Sequence, residues 1–208
     1  MMKLNYNINR SKNPIKIQIN EFFARETSKR KLGKVLFLES RALLTYKTLF
    51  KFGIKPDDMI VPNPVEEDFK IISKYIKGAK QVFLDEWLNT YKIEYESSKV
   101  FGGMFHKPTY LKSVWFDYMC SIQGNEDIKP FRDIEKLFSK KILFNNSIFG
   151  YTFCVRHPKV IYERENIEKA EEFTQTVASK NNYHLIRLGR TWVYNGMFTQ
   201  FFQVKTHN

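Results

Sequence analysis

The chain alternates short, continuous apolar runs with segments whose apolar residues recur every three or four positions. Continuous runs of this length are typical of strands buried on both faces of a sheet, whereas the three-to-four spacing is typical of helices with one buried face. The predicted strands are residues 34–38, 59–61, 81–84, 114–116 and 147–155, and the predicted helices are residues 40–52, 63–77, 125–138 and 163–180, with a short helix through Trp87. This succession predicts a parallel sheet covered by helices on both faces.

The C-terminal segment has a different pattern. Two β-rich runs, residues 183–193 and 197–204, flank Asn195-Gly196, and Asn-Gly between such runs is a strong signal for a β-hairpin. A plain dinucleotide-binding fold would continue with a sixth parallel strand instead. We therefore predict a three-layer α/β sandwich with a mostly parallel seven-stranded sheet and an antiparallel C-terminal hairpin. We assign residues 33–208 to this domain and residues 1–32 to a basic N-terminal extension.

Composition narrows the class of protein. The 208 residues are 43% hydrophobic and 16% aromatic, which is enough for a substantial core and excludes a disordered chain. No apolar run is long enough for a membrane span, the N-terminus lacks a secretory signal, and the four histidines and two cysteines lack metal-ligand spacing. Cys120 and Cys154 both lie in apolar runs, which predicts buried free thiols in a reducing compartment such as the cytoplasm or nucleus.

The order of elements resembles the class I S-adenosylmethionine-dependent methyltransferases over residues 33–204. Phe37-Leu38-Glu39-Ser40 stands where that family has an acid followed by a glycine-rich loop. Glu39 matches the acid, but Arg-Ala-Leu-Leu at 41–44 replaces the glycines. The acid, the threonine-bearing helix and the Pro-Asn corner also resemble methyltransferase-like proteins of large DNA viruses, which would place the protein inside a host cell.

The predicted strand order places candidate site residues at one crevice. In an open α/β sheet, ligands lie beyond the carboxyl ends of the strands at the point where the strand order reverses. Glu39 and Asp117 follow the two strands that flank this point. The resemblance implies S-adenosylmethionine as cofactor, held by Glu39, Ser40, Asn63 and Asp85, with Asp117 as the catalytic residue near the acceptor. Structural alternatives are a helix cap for Glu39, Asn63 or Asp85 and an ion pair for Asp117.

The charge balance points to a polyanionic partner. Lysine and arginine number 34 against 22 acidic residues, a formal charge of +12, and nucleic acid is the polyanion we favour. Lysine and arginine side chains bind phosphates, and Trp192 and Tyr194, which follow Arg187 and Arg190 in the sequence, could stack on unpaired bases. Runs of charged residues are also common on surfaces that only contact water. The predicted nucleic-acid-binding residues are Arg25, Lys29, Arg30, Lys31, Arg156, Lys159, Arg187 and Arg190.

Two functions remain open from the sequence, with an unrelated nucleotide-binding α/β protein as a third. The first is a methyltransferase acting on RNA or DNA. The second is a catalytically degenerate methyltransferase-like fold that binds nucleic acid or stabilises a protein partner. The missing glycines weigh against activity, because glycine allows the backbone to approach a cofactor closely, but the order of elements leads us to favour the first function.

Overall fold

The computed structural model describes residues 13–91, 94–100, 103–121, 123–155 and 160–206. The elements in chain order are α1 (Pro14–Ser28), β1 (Lys34–Phe37), α2 (Leu44–Lys51), β2 (Met59–Pro62), α3 (Glu66–Ile72), β3 (Gly78–Lys80), α4 (Leu84–Thr90), β4 (Glu94–Val100), β5 (Gly103–Thr109), β6 (Leu111–Asp117), α5 (Pro130–Ser139), β7 (Leu143–Cys154), α6 (Val160–Lys180), β8 (Tyr183–Tyr194) and β9 (Met197–Thr206).

Seven of the described strands form one sheet in the order β3-β2-β1-β6-β7-β9-β8. The first five strands of this order are mutually parallel, and β9 runs antiparallel to both β7 and β8. Asn195 and Gly196 have φ angles of 50° and 69° at the turn between β8 and β9. Positive φ at both central residues is what a type I′ hairpin turn requires. The predicted three-layer sandwich and its C-terminal hairpin are therefore confirmed.

Two hydrophobic clusters lie on opposite faces of the sheet. On one face α1, α2 and the end of α3 cover Val35 and Phe37, and on the other face α4, α5 and α6 cover Leu36. This alternation within β1 follows from the two-residue side-chain period of a strand. Trp115 is fully buried under α1, and the next residue, Phe116, is fully buried on the opposite face. The central strands are thus buried on both sides, as their continuous apolar sequences indicated.

Helix α1 lies within the segment that the sequence assigned to a basic extension. Ile19, Phe23 and Ala24 are fully buried in the same cluster as Val35 of β1. Asn13 caps the helix by accepting a hydrogen bond from the backbone N–H of Ile15 at 2.9 Å. The second half of the predicted extension therefore contributes a helix to the core, while residues 1–12 lie outside the described residues. Apolar residues four positions apart could have indicated this helix.

The structure differs from the sequence prediction in the first half of the sheet. Strand β3 is Gly78–Lys80, whereas the prediction placed it at residues 81–84, and Leu84 already begins α4. A Cβ atom on Gly78 would lie 2.1 Å from the carbonyl oxygen of Met59, so this close strand pairing requires glycine. Helix α3 is also shorter than predicted. The segment 86–112 contains an antiparallel pair, β4 and β5, that forms a separate two-stranded sheet.

Candidate functional site

The crevice predicted between β1 and β6 lies at the reversal of strand order. Phe37 of β1 pairs with Trp115 of β6, so Glu39 and Asp117 each lie two residues beyond the same paired position. Burial is the main cause of the raised pKa of Glu39, and the negative charge of Asp117 contributes in the same direction. The strand order thus brings together two residues that are 78 positions apart, as the sequence prediction required.

Lys16 is a third charged residue of the crevice, and the sequence analysis missed it. Its ammonium forms an ion pair with Oδ2 of Asp117, and both side chains are nearly buried, with exposed fractions of 7% and 12%. The same Nζ lies 4.7 Å from the centroid of the Trp115 ring, within the range of a cation–π interaction. Oδ1 of Asp117 is buried and has no hydrogen-bond partner among the described residues. The ends of β1 and β6 therefore hold a buried ion pair in which one carboxylate oxygen has no hydrogen-bond partner among the described residues.

Glu39 both faces the crevice and caps a helix. Its carboxyl oxygens accept hydrogen bonds from the backbone N–H groups of Ser40, at 2.9 Å, and of Tyr46 near the start of α2, at 2.7 Å. Burial raises the pKa of Glu39 to about 7, although the two N–H groups and Lys16 act in the opposite direction. The capping alternative is thus observed, and near neutral pH this carboxyl group is poised between its charged and neutral forms.

The loop after β1 is held without glycine. Oγ of Ser40 accepts a hydrogen bond from the Ala42 N–H at 3.4 Å, and Leu43 takes the left-handed conformation with φ 55°. A left-handed non-glycine residue costs roughly 1 kcal/mol, which the surrounding contacts offset. Arg41 extends from this loop to α3, where Nε lies 2.7 Å from Oδ1 of Asp68 and Nη2 lies 3.2 Å from Oε2 of Glu67. These two ion pairs consequently connect the loop to the first turn of α3.

Asn63 connects the ends of β1 and β2. Its Nδ2 donates to the carbonyl oxygen of Glu39 at 2.8 Å, and its Oδ1 accepts from the N–H of Val65 at 2.8 Å. The helix that follows begins at Glu66 with Val65 as its N-cap, so Asn63 forms the preceding turn and is not the predicted cap. Because its side-chain oxygen and amide group bind backbone groups of Val65 and Glu39, Asn63 stabilises the backbone at the ends of β1 and β2.

Asp85 lies on the opposite face of the sheet from Lys16. It belongs to α4, and it forms ion pairs with Lys136 and, at 3.4 Å, with Arg132, both on α5. Beside this pair the hydroxyl of Tyr118 donates to Oδ2 of Asp133 at 2.6 Å, and burial raises the pKa of Asp133 to about 6. The structure therefore places Asp85 in a partly buried polar cluster on the other face of the sheet and does not bring it beside Glu39. Because β3 ends at Lys80, Asp85 lies on α4 and not at the carboxyl end of the strand.

The predicted nucleic-acid-binding residues are spread over the surface. Lys29 and Arg30 pair with Glu26, Arg30 also donates to the carbonyl oxygen of Asn146 near the amino end of β7, and Lys31 is exposed. Arg187 pairs with Glu171 of α6. Arg25 and Arg190 lie together at one cavity between α1 and β8. Arg156 and Lys159 lie outside the described residues.

The two cysteines are neighbours at the ends of β6 and β7. The N–H of Cys154 donates to the carbonyl oxygen of Cys120 at 2.9 Å, and both thiols are free. They are half-buried, where the sequence predicted full burial, and partial desolvation raises the pKa of Cys120 to about 11. Among the described residues there is no group of three metal-ligating side chains, and no described helix is long and apolar enough to cross a bilayer.

Comparison with known proteins identifies the fold. No protein-family model matches the sequence, and no curated protein is significantly similar to it. The plantazolicin methyltransferase BpumL, in complex with SAH, matches 97% of this chain and 89% of its own with a TM-score of 0.60 and 9% identity. Trm1 from Pyrococcus horikoshii, in complex with S-adenosyl-L-methionine, matches 97% of this chain and 56% of its own with a TM-score of 0.56 and 10% identity.

A third structure supports the same architecture. The fibrillarin pre-rRNA processing protein of Methanococcus jannaschii matches 86% of this chain and 69% of its own, with a TM-score of 0.54 and 10% identity. The viral resemblance suggested by the sequence finds no support in these comparisons. The chain has the Rossmann-like fold of class I S-adenosylmethionine-dependent methyltransferases.

Proposed function

We propose that the protein is an S-adenosylmethionine-dependent methyltransferase that acts on nucleic acid. The observation that carries the proposal is the buried Lys16–Asp117 pair in the crevice at the reversal of strand order. Ligands of open α/β sheets bind at this position. Solved structures of similar fold include complexes with S-adenosyl-L-methionine and SAH, and one is named for pre-rRNA processing. The formal charge of +12 favours a polyanionic substrate.

The residues of the crevice fit the amino-acid end of this cofactor. An α-amino acid carries an ammonium and a carboxylate, and Lys16 and Asp117 offer the complementary charges side by side. The unpartnered Oδ1 of Asp117 would accept a hydrogen bond from the cofactor's ammonium, and the Lys16 ammonium would pair with the cofactor's carboxylate. Trp115 holds the Lys16 ammonium over its ring and limits its access to water. This role for Asp117 replaces the acceptor-side role expected from the sequence, because Lys16 already binds its second oxygen.

The cofactor supplies a methyl group bound to a positively charged sulfur. Transfer of that group depends mainly on alignment of the acceptor, so the protein contributes position more than covalent chemistry. Glu39 and Asn63 hold the ends of β1 and β2 together through the backbone, and Glu39 fixes the first turn of α2. Because its pKa is about 7, Glu39 also places a protonatable group at the crevice near neutral pH.

The contacts of Arg41, in the loop after β1, favour a second function, a nucleic-acid-binding module without methyl transfer. Arg41 occupies the space between the β1 loop and α3 and neutralises Asp68 and Glu67, and Asn63 is already bound to backbone groups. No glycine is present at residues 39–43 to bring the backbone closer to a nucleoside. If Arg41 stays in place, the chain is a nucleic-acid-binding module with a methyltransferase-like fold and does not transfer a methyl group.

Calorimetric titration distinguishes these functions. We expect S-adenosylmethionine and S-adenosylhomocysteine to bind at micromolar concentration. We expect 5′-methylthioadenosine, which lacks the amino-acid end, to bind at least tenfold more weakly. In the double variant Lys16→Met/Asp117→Asn, which leaves no unpaired buried charge, S-adenosylhomocysteine should lose this advantage over 5′-methylthioadenosine. The exposed substitution Lys31→Met serves as the control and should preserve it.

The controls separate a binding role from a structural one. A purely structural Lys16–Asp117 pair would weaken both ligands equally in the double variant and leave their ratio unchanged. Absence of binding of every ligand by the folded wild type would refute the enzyme and favour the binding module. Transfer of a radiolabelled methyl group to RNA or DNA then tests the substrate class directly.

A further inference from the structure

A cavity of about 350 Å³ lies between α1 and β8, on the same face of the sheet as Lys16. Its wall combines two guanidinium groups, two aromatic rings, one carboxylate and one amide, from Gln18, Glu21, Phe22, Arg25, Arg190 and Trp192. None of these residues belongs to the crevice described above. The cavity is a recess between a helix and the edge strand of the sheet.

A bulge in β8 shapes one wall of the recess. The pairing of β8 with β9 shifts register between Leu188 and Trp192, and Gly189 within this interval has a φ of 72°. This left-handed backbone conformation favours glycine, and a Cβ atom on Gly189 would lie 2.8 Å from Cζ of Phe22, so a larger residue would also displace that ring. The bulge therefore redirects Arg190 toward α1 and brings it to the same recess as Arg25.

The two guanidinium groups are held by aromatic rings. The guanidinium carbon of Arg25 lies 5.7 Å from the ring centroid of Phe22, and that of Arg190 lies 5.8 Å from the ring centroid of Trp192. The two rings contact each other with centroids 4.8 Å apart, and Trp192 is buried in the core. Rings anchored in this way restrict the guanidinium groups, so less side-chain freedom is lost when they bind a ligand.

The guanidinium groups retain unused donors. Nη2 of Arg190 donates to the uncharged Oε1 of Gln18 at 3.1 Å, and in the described part of the chain neither Arg25 nor Arg190 forms an ion pair with a carboxylate. By contrast, Arg30, Arg41 and Arg187 are all paired with acids. With Glu21 included, the wall of the recess carries a net charge of +1. Two preorganised guanidinium groups of this kind suit phosphate oxygens, which accept paired N–H donors.

We propose that this recess binds the phosphate backbone of a single nucleic-acid strand, an inference that rests on the proposed action on nucleic acid. A recess accepts an isolated strand or an unpaired nucleotide, whereas reading a duplex requires a protein element that enters a groove. Helix α1 connects the two sites, since its first turn brings Lys16 to the crevice and its following turns line the recess. A strand held by Arg25 and Arg190 is thereby kept beside the crevice.

The proposal predicts the salt dependence of binding. For single strands, the logarithm of the association constant falls with the logarithm of salt concentration by about 0.7 for each phosphate neutralised. Loss of two guanidinium contacts in Arg25→Gln/Arg190→Gln should therefore lower this slope by about 1.4. Removal of the opposing carboxylate in Glu21→Gln should strengthen binding, because that charge repels the phosphates.

The experiment is fluorescence anisotropy of a labelled twelve-nucleotide single strand with the full chain, between 50 and 400 mM salt. The matched control is Lys51→Gln/Lys74→Gln, which removes the same charge from exposed positions on the α2 and α3 side. We expect the arginine double variant to lose at least tenfold in affinity at 150 mM salt and the control less than threefold. Circular dichroism verifies that both variants are folded.

Three outcomes would refute the proposal that the recess binds a single strand. These are equal losses in the two double variants, no loss in the arginine variant, or equal binding of a duplex of the same length. Titration with S-adenosylhomocysteine on the same preparations separates the two proposals. Strand binding that needs Arg25 and Arg190 without cofactor binding contradicts the methyltransferase and supports the recess. Cofactor binding with strand affinity unchanged in the arginine variant contradicts the recess alone.

Discussion

The substitution Glu39→Gln tests the electrostatics of the crevice. Burial raises the pKa of Glu39 from an ordinary 4.5 to about 7. A carboxyl group with a raised pKa lowers the stability of the folded state as pH rises through the interval between its unfolded and folded values, here from 4.5 to about 7. Below this interval both states are protonated and the penalty vanishes. Above it the penalty is complete, at roughly 3 kcal/mol.

Glutamine removes this penalty and also weakens the cap on α2. Loss of one acceptor for the Ser40 or Tyr46 N–H costs roughly 1 kcal/mol at every pH. Between pH 5 and pH 8 the stability of Glu39→Gln relative to wild type should therefore increase by about 2.5 kcal/mol. At pH 5 the free energy of unfolding of the variant should equal that of wild type or be slightly lower. At pH 8 it should be higher.

Urea unfolding at half-unit steps from pH 5 to 8.5 measures this difference. Other titrating groups, including Asp133, are common to both proteins and cancel in the comparison. The control is Glu172→Gln at an exposed position of α6, whose stability relative to wild type should stay constant within about 0.5 kcal/mol. A flat difference for Glu39→Gln over this range would show that the carboxyl group is not desolvated, and would refute the reasoning.

Three further predictions follow from individual contacts. Asp117→Asn leaves the Lys16 ammonium buried without its partner and should lower the free energy of unfolding by about 3 kcal/mol, whereas Lys16→Met/Asp117→Asn should recover most of that loss in the same urea assay. Arg41→Ala releases the loop from Asp68 and should raise the calorimetric affinity for S-adenosylhomocysteine roughly two- to fivefold; an unchanged affinity would show that the ion pair does not restrict the crevice. Tyr118→Phe removes a hydrogen bond that lowers the pKa of Asp133, so it should destabilise the protein by about 1–3 kcal/mol and more at pH 8 than at pH 5, and a loss independent of pH would contradict this account.

Helix α1 contributes residues to both proposed sites. It buries Phe23 against Trp115, brings Lys16 to Asp117, and presents Arg25 to Arg190. Substitutions on different faces of one helix should therefore change cofactor binding and strand binding independently.

The local sequence determined the central strands and the C-terminal hairpin. Continuous apolar runs identified the central strands, and Asn195-Gly196 identified the hairpin, because both signals arise from neighbouring residues. The strand order that the resemblance to class I methyltransferases implies then placed Glu39 and Asp117 at one crevice. Strand β3 was misplaced because Gly78–Lys80 contains little apolar sequence, and its position depends on contact with β2.

Only the tertiary structure decided how the charged residues are used. Lys16 meets Asp117 across 101 residues, and Arg190 meets Gln18 across 172, so no local pattern could identify either partnership. Among the basic residues that looked equivalent in the sequence, Lys29, Arg30 and Arg187 are neutralised by neighbouring acids, whereas Arg25 and Arg190 lie over aromatic rings. The physical reason is that periodicity reports which side of an element is buried, whereas the pairing of charges depends on distances that exist only after the elements have packed.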